Sequence, residues 1–272
     1  MARVFYIGDW AVALGPVFAE TPFNYAFKGL QTYRYDHYLT EAIESTGEHT
    51  SDPCPTWDFY GMPPGRWEEI LSEYDVIVFS DTELKNFQLA PQFFDKSIFG
   101  SQVVTYPDRI RLTVEAVESG TRVMFMGGWL SFNGEMGKGG WGRSRLAEIL
   151  PVRCLETEDL VENTEGFLFS RNDPAFLPDV DFGSAYPILG YNRTERRDDA
   201  VVHVEVAETG DPLVASRTHG AGAALAYMSD PAPHWGVNFV QWDQYQEFWA
   251  GSLDYLLSMT KGAHGSLKPG DA

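Results

Sequence analysis

Four side chains in this chain of 272 residues stand where chemistry is most readily read from sequence: Asp9, Asp81, Ser131 and His234. Asp9 follows the apolar run Val4-Phe5-Tyr6-Ile7, and Asp81 follows Val76-Ile77-Val78-Phe79, two stretches of the kind that form buried strands. Carboxylates at strand ends do acid/base work or hold a cation, and they equally close Asx-turns. Ser131 comes after a third apolar run, Arg122 to Met126, in the turn Gly127-Gly128-Trp129-Leu130-Ser131. Its hydroxyl reads either as a nucleophile with His234 as base or as the N-cap of a following helix. His234 lies in Asp230-Pro231-Ala232-Pro233-His234-Trp235, where two prolines stiffen the loop and lower the cost of holding an imidazole and an indole in place. It reads as an acid/base, or as a structural histidine bonded to backbone.

Glycine is dense from Gly127 to Gly142, which implies left-handed backbone or close approach by another group. Lys138 is followed by Gly139 rather than Ser or Thr, so this is not a phosphate-binding Walker loop. Gly127 and Gly128 could instead offer backbone N–H groups as an anion cradle. Trp10, Trp129, Trp141 and Trp235 all fall in expected loops at one sheet end, where indole faces stack on a polar ligand, fill core or form an oligomer interface. Cys54 and Cys154 are too few for a disulfide framework and fit a reducing compartment. The other histidines, His37, His49, His203, His219 and His264, show no zinc-binding spacing, and neither a metal nor a cofactor is expected.

The elements that must position these residues alternate. Strand 4–7 is followed by a long aromatic loop and a helix carrying Leu30, Tyr38, Leu39, Ala42 and Ile43, closed by Gly47. Residues 51 to 65 are Pro/Gly-rich loop, Trp67 to Ser72 is helical, and strand 75–81 follows. After a loop through Gly100, Pro107 suits the first turn of a helix with Ile110, Leu112, Val114 and Val117, which stops at Gly120 before strand 122–126. The fold class expected is α/β: a flavodoxin-like open, mostly parallel sheet flanked by helices, with ligands beyond the C-terminal strand ends. In the second half, 201–206, 212–215 and 223–228 are short strands, partly antiparallel, before a helix with Tyr245, Phe248, Trp249 and Leu253. Residues 1–260 read as one domain and 261–272 as a flexible tail.

A formal charge of −19 repels phosphate backbones and anionic headgroups, which excludes nucleic acid and membrane surfaces as expected partners. The first residues lack the apolar core and cleavage site of a secretory signal, and no run approaches the roughly 20 apolar residues of a membrane span. The expected location is the cytoplasm. A small-molecule ligand and a homo-oligomer are the expected partners.

The order strand, Gly127-Gly128-Trp129-Leu130-Ser131, Phe132-Asn133-Gly134, Gly137-Lys138, then Leu146 to Val152 resembles the "putative glutamine amidotransferase" proteins. These are relatives of the trehalose-utilisation-protein-like branch of the class I glutamine amidotransferase-like superfamily. Ser229 to Gly236 and the closing Trp242, Tyr245 and Trp249 extend the resemblance over most of residues 1 to 258. It implies an elbow reading G-x-C-x-G with a histidine and a glutamate from after a later strand. Trp129 stands at the cysteine position and Ser131 replaces the second glycine; His234 lies where the triad histidine would come, with Gly236 where the glutamate would. Glutamine hydrolysis by a thiolate is therefore not expected. The leading expectation is a small polar ligand, for which the resemblance to the trehalose relatives suggests a sugar derivative, bound or transformed with His234 as acid/base and Trp129 as stacking wall. The alternatives are a non-catalytic interaction module and a hydrolase using Ser131 and His234.

Overall fold

The computed structural model describes residues 1–17, 26–97 and 103–259. In chain order the first half runs β1 (Ala2–Ile7), β2 (Trp10–Val17), β3 (Ala26–Arg34), α1 (His37–Glu44), β4 (His49–Cys54), α2 (Thr56–Gly61), α3 (Arg66–Glu73), β5 (Val76–Phe79), α4 (Leu84–Gln88), α5 (Arg109–Ser119) and β6 (Arg122–Met126). The second half runs β7 (Val152–Cys154), β8 (Leu160–Phe167), β9 (Phe169–Arg171), β10 (Ile188–Asn192), β11 (Thr194–Arg196), β12 (Val201–Val206), β13 (Pro212–His219), β14 (Gly222–Tyr227) and α6 (Tyr245–Ser258). Among the described residues the main sheet has the order β4-β1-β5-β6-β14-β13-β12-β9. Its first five strands are parallel, and β13, β12 and β9 continue it antiparallel.

The sheet sorts its apolar residues by strand alternation into two cores. Val4, Tyr6, Val76, Val78, Met124, Met126, Leu225 and Tyr227 face the layer of α1 and α6, where Leu39, Ile43, Phe248, Trp249 and Leu253 pack. Phe5, Ile7, Ile77, Phe79, Val123 and Phe125 face the layer of α3 and α5, with Trp67, Ile70, Ile110, Val114 and Val117. Strands buried on both faces read as continuous apolar runs, which is why β1, β5 and β6 are visible in sequence.

The structure departs from the sequence reading in three places. Leu30 belongs to β3, paired antiparallel with β2, so the expected aromatic loop is a hairpin and the helix begins at His37. The Pro/Gly-rich stretch hides β4, a sheet-edge strand in which Pro53 sits opposite Tyr6; an edge tolerates a proline because no outer neighbour needs its missing N–H. Helix α5 starts at Arg109 rather than at Pro107, because the Asp108 carboxylate accepts from the N–H groups of Ile110 (2.9 Å) and Arg111 (3.4 Å). The expected tail 261–272, and Gly100 within the expected loop, lie outside the described residues.

Gly8, with φ 126°, lets β1 finish against β5: its N–H donates to the Cys54 carbonyl at 3.0 Å, and a β-carbon here would overlap the Ser80 carbonyl. Gly8→Ala is expected to cost about 3 kcal/mol of unfolding free energy, combining left-handed strain with backbone displacement. Urea titration checks it; a loss below about 1 kcal/mol would mean that β1 and β5 do not meet this closely.

Candidate functional site

Strands β1, β5, β6 and β14 are parallel neighbours, so the residues after Ile7, Phe79, Met126 and Tyr227 emerge at one end of the sheet. Asp9 and Asp81 there have left-handed backbone, φ 54° and 45°, conformations an aspartate adopts more readily than most residues. The Tyr6 hydroxyl donates to Asp9 Oδ2 and Ser80 Oγ donates to Asp9 Oδ1 at 3.0 Å. Asp81 Oδ1 accepts from the Leu130 N–H at 2.8 Å, and the Asp81 N–H donates to Ser131 Oγ at 3.2 Å. Gly128, φ 139°, lies between two acids: a β-carbon on it would collide with Asp81 Oδ1 and stand 2.7 Å from Asp230 Oδ1.

Asp230 comes from the loop after β14 and is 3% exposed. Its Oδ2 lies 2.8 Å from His234 Nδ1 and accepts the Trp235 N–H at 2.9 Å, which assigns the ring proton to Nδ1 and leaves Nε2 as the free nitrogen. Among the described residues its buried Oδ1 has no hydrogen-bond partner. Across the imidazole, Glu162 of β8 places Oε1 3.7 Å from Nε2. That same oxygen accepts the indole N–H groups of Trp129 (3.0 Å) and Trp235 (2.8 Å). The Trp129 ring meets the His234 ring edge-on with centroids 4.3 Å apart. Trp129 is 47% exposed and Trp235 1%. A cavity of about 270 Å³ opens beside them, lined by Glu162, Asn163, Thr164, Leu189, His234 and Trp235.

Burial dominates the acid–base properties of this end. It raises Asp9 to about 7, helped by the charge of Asp230 and opposed by the Tyr6 and Ser80 hydroxyls. Asp81 is pushed well above the usual carboxylate range by burial and then by Asp230, and Asp230 is itself raised by burial against the pull of His234. Glu162 moves the other way, because the indole N–H groups of Trp129 and Trp235 and then the His234 charge favour its ionised form. Burial pushes the thiols of Cys54 and Cys154 up to about 12, so neither supplies a thiolate.

Asp9, Asp81, Gly128, Trp129, Ser131, His234 and Trp235 therefore gather at one sheet end, and the hydrogen bonds there bear on two of the expected roles. Ser131 begins no helix and is fully enclosed; its Oγ receives Asp81, and among the described residues no hydrogen bond joins it to His234. Four N–H groups of the glycine turn are bonded within the protein: Gly127 to the Tyr227 carbonyl (2.7 Å), Gly128 to Asn192 Oδ1 (2.9 Å), Leu130 to Asp81 and Ser131 to the Gly128 carbonyl (3.3 Å). Trp141 is core, its N–H on the Thr82 carbonyl at 2.8 Å, and Trp10 lies under the Arg34 guanidinium at 4.4 Å.

Sequence reasoning missed Glu162, Asn192 and Asp159. Asn192 Nδ2 donates to Asp159 Oδ1 (3.1 Å), and Asp159 accepts the N–H groups of Asn133 and Gly134 (2.9 Å each), pinning the loop after the turn. These residues reach the site from the small β8–β10 sheet, a placement no local pattern encodes. Asp230 was findable, since it precedes His234 by four residues in the quoted loop. Among the described residues one trio, Glu48, His49 and Asp254, has ligand atoms close enough for a metal ion. Both His49 nitrogens are engaged there, Nδ1 by the Ala2 N–H (3.2 Å) and Nε2 by Asp254 (2.9 Å).

A family model described as "Putative glutamine amidotransferase" matches residues 23–258. The chain superposes on Cytoplasmic Protein STM3548 from Salmonella typhimurium with a TM-score of 0.80 at 28% identity, over 93% of this chain and 98% of that one. For Cytoplasmic Protein STM1381 from Salmonella typhimurium LT2 the TM-score is 0.79 at 27% identity, over 93% and 99%. Comparison with curated proteins finds no match.

A carboxyl held protonated by the fold supports stability below its unfolded value, and that support is lost as pH rises through the folded value. For Asp9 the window runs from about 3.8 to about 7. Asp9→Asn is expected to be near neutral at pH 4 and more stable than the parent at pH 8 by on the order of 2 kcal/mol. Urea titrations at the two pH values check this, and an effect that does not change with pH would contradict the raised carboxyl.

Proposed function

The chain belongs to the family described as "Putative glutamine amidotransferase", and from that premise we propose that it binds or transforms a small polar molecule at the Trp129–His234–Trp235 cleft without cysteine chemistry. The observation that carries this reading is the paired state of His234. Asp230 holds Nδ1 at 2.8 Å, so Nε2 is fixed on the side of the cavity that Glu162 and Trp235 line. An imidazole oriented by a buried carboxylate is an effective acid/base, because its tautomer and direction are set before the ligand arrives.

Each remaining group has a role in that scheme. The exposed Trp129 indole offers a face to an apolar side of the ligand, such as that of a sugar ring. Glu162 accepts hydrogen bonds from the ligand, and Asp230 acts as positioning residue for His234. Amide hydrolysis of the glutaminase type lacks its parts: Trp129 stands at the elbow and both thiols stay protonated. The hydrolase reading is disfavoured by the enclosure of Ser131. A purely packing role for the cleft is disfavoured by the exposed Trp129 and the open cavity beside His234. The names of the two Salmonella relatives and the two free thiols support a cytoplasmic location.

A thermal-shift screen of small sugars, polyols and amino acids, glutamine included, tests the proposal. A ligand found this way is expected to lose about tenfold or more in affinity, roughly 1.4 kcal/mol, in both His234→Ala and Trp129→Ala. A ligand whose stabilising effect survives both changes would place binding elsewhere. Ammonia release from glutamine that survives conversion of both cysteines to alanine would overturn the exclusion of amidotransfer chemistry.

A further inference from the structure

We propose that the molecule taken by this cleft is a small amine cation, its ammonium seated on Glu162 between the indoles of Trp129 and Trp235. The inference rests on the reading of the cleft given above and narrows its ligand class. Glu162 is the pivot. Its Oε1 is saturated by two indole N–H groups at 3.0 and 2.8 Å, while its Oε2 takes no hydrogen bond among the described residues and half of the side chain is exposed. The indole bonds keep this carboxylate ionised without neutralising it, since an N–H carries no net charge. The acids behind it, Asp9, Asp81 and Asp230, are all biased by burial toward their neutral forms. Glu162 is also the acid that lines the cavity, whereas Asp9, Asp81 and Asp230 are not among its lining residues.

The Glu162 carboxylate favours a cation over an anion or a neutral polyol when the His234 imidazole, 3.7 Å from Oε1, is neutral. Among the described residues the cavity lining includes no lysine or arginine. The N–H groups of Gly127, Gly128, Leu130 and Ser131 are spent within the protein. A neutral ligand covering the cleft would strip water from the carboxylate and return no charge, a cost that an ammonium avoids. Tryptophan is the aromatic residue that best attracts a cation to its face, and the half-exposed Trp129 stands beside the carboxylate that its own N–H bonds. A metal ion fits poorly, because hard cations require six or more oxygen ligands and the side-chain oxygens of the lining are those of Glu162, Asn163 and Thr164 alone. The volume of about 270 Å³ sets the ligand as small, and the net charge of −19 steers cations inward.

Matched pairs that differ chiefly in charge test this by calorimetry on the full chain at pH 7: glucosamine against glucose, and putrescine against 1,4-butanediol. The amine of at least one pair is expected to bind tenfold or more tightly than its neutral partner, and the preference should shrink as salt is raised. Glu162→Gln is expected to reduce the preference to within about twofold. Trp129→Phe, which keeps a ring face and removes one N–H donor, should retain part of it; its melting temperature and circular dichroism report whether the loop is intact. Neutral partners binding as tightly as the amines, or a preference that survives Glu162→Gln, would overturn the amine assignment. If neutral sugars alone bind and depend on His234 and Trp129, the amine assignment falls and the cleft stands. If no small polar molecule binds, both fall.

Discussion

The Asp230 carboxylate is the constraint on which this end of the molecule depends. One oxygen fixes the His234 ring and the Trp235 backbone together, and the other is buried against Gly128 with no hydrogen-bond partner among the described residues. An unpaired buried oxygen is costly, so its position must be over-determined by what surrounds it. The surroundings are backbone: the turn after β6 passes within contact distance because residue 128 has no side chain. The histidine, the glycine turn and Asp81 are therefore one assembly, held by a carboxylate rather than by a catalytic cysteine.

That assembly is carried by a scaffold with apolar layers on both sides. Because β1, β5, β6 and β14 are buried on both faces, they hold their C-terminal ends in register, and loops leaving those ends start from fixed points. The small β8–β10 sheet then brings Glu162 and Asn192 over the turn from a distant part of the chain. Asn192 closes the Gly128 N–H, and Glu162 gathers two indoles. The N–H groups of Gly127, Gly128, Leu130 and Ser131 are thereby taken by the protein's own carbonyls, amide and carboxylate.

The electrostatics follow from that substitution. Removing water from Asp9, Asp81 and Asp230 shifts all three toward the protonated form, whereas Glu162, half exposed and bonded by indoles, stays ionised. Acidic residues close together in one cleft are thus shifted in opposite directions, and depth below the surface is the largest cause of the upward shifts.

Much of this was legible from the chain alone. Apolar runs ending in Asp9, Asp81 and Gly127 located three parallel strands and the sheet end where they deliver their loops, because a strand buried on both faces must be apolar at every position. That residue 129 is a tryptophan and not a cysteine was legible for the same local reason: the reacting atom is either in the residue or absent. Strand β4 and the β2–β3 hairpin were hidden, since an edge strand with Pro53 and a paired hairpin carry no continuous apolar run. The tertiary structure alone decided that Ser131 is enclosed, that the N–H groups of Gly127, Gly128, Leu130 and Ser131 are occupied, and that Glu162 rather than an expected aspartate lines the cavity. Those outcomes depend on which distant groups arrive at a given point and how much water they leave there, and neither quantity is written in local residue order.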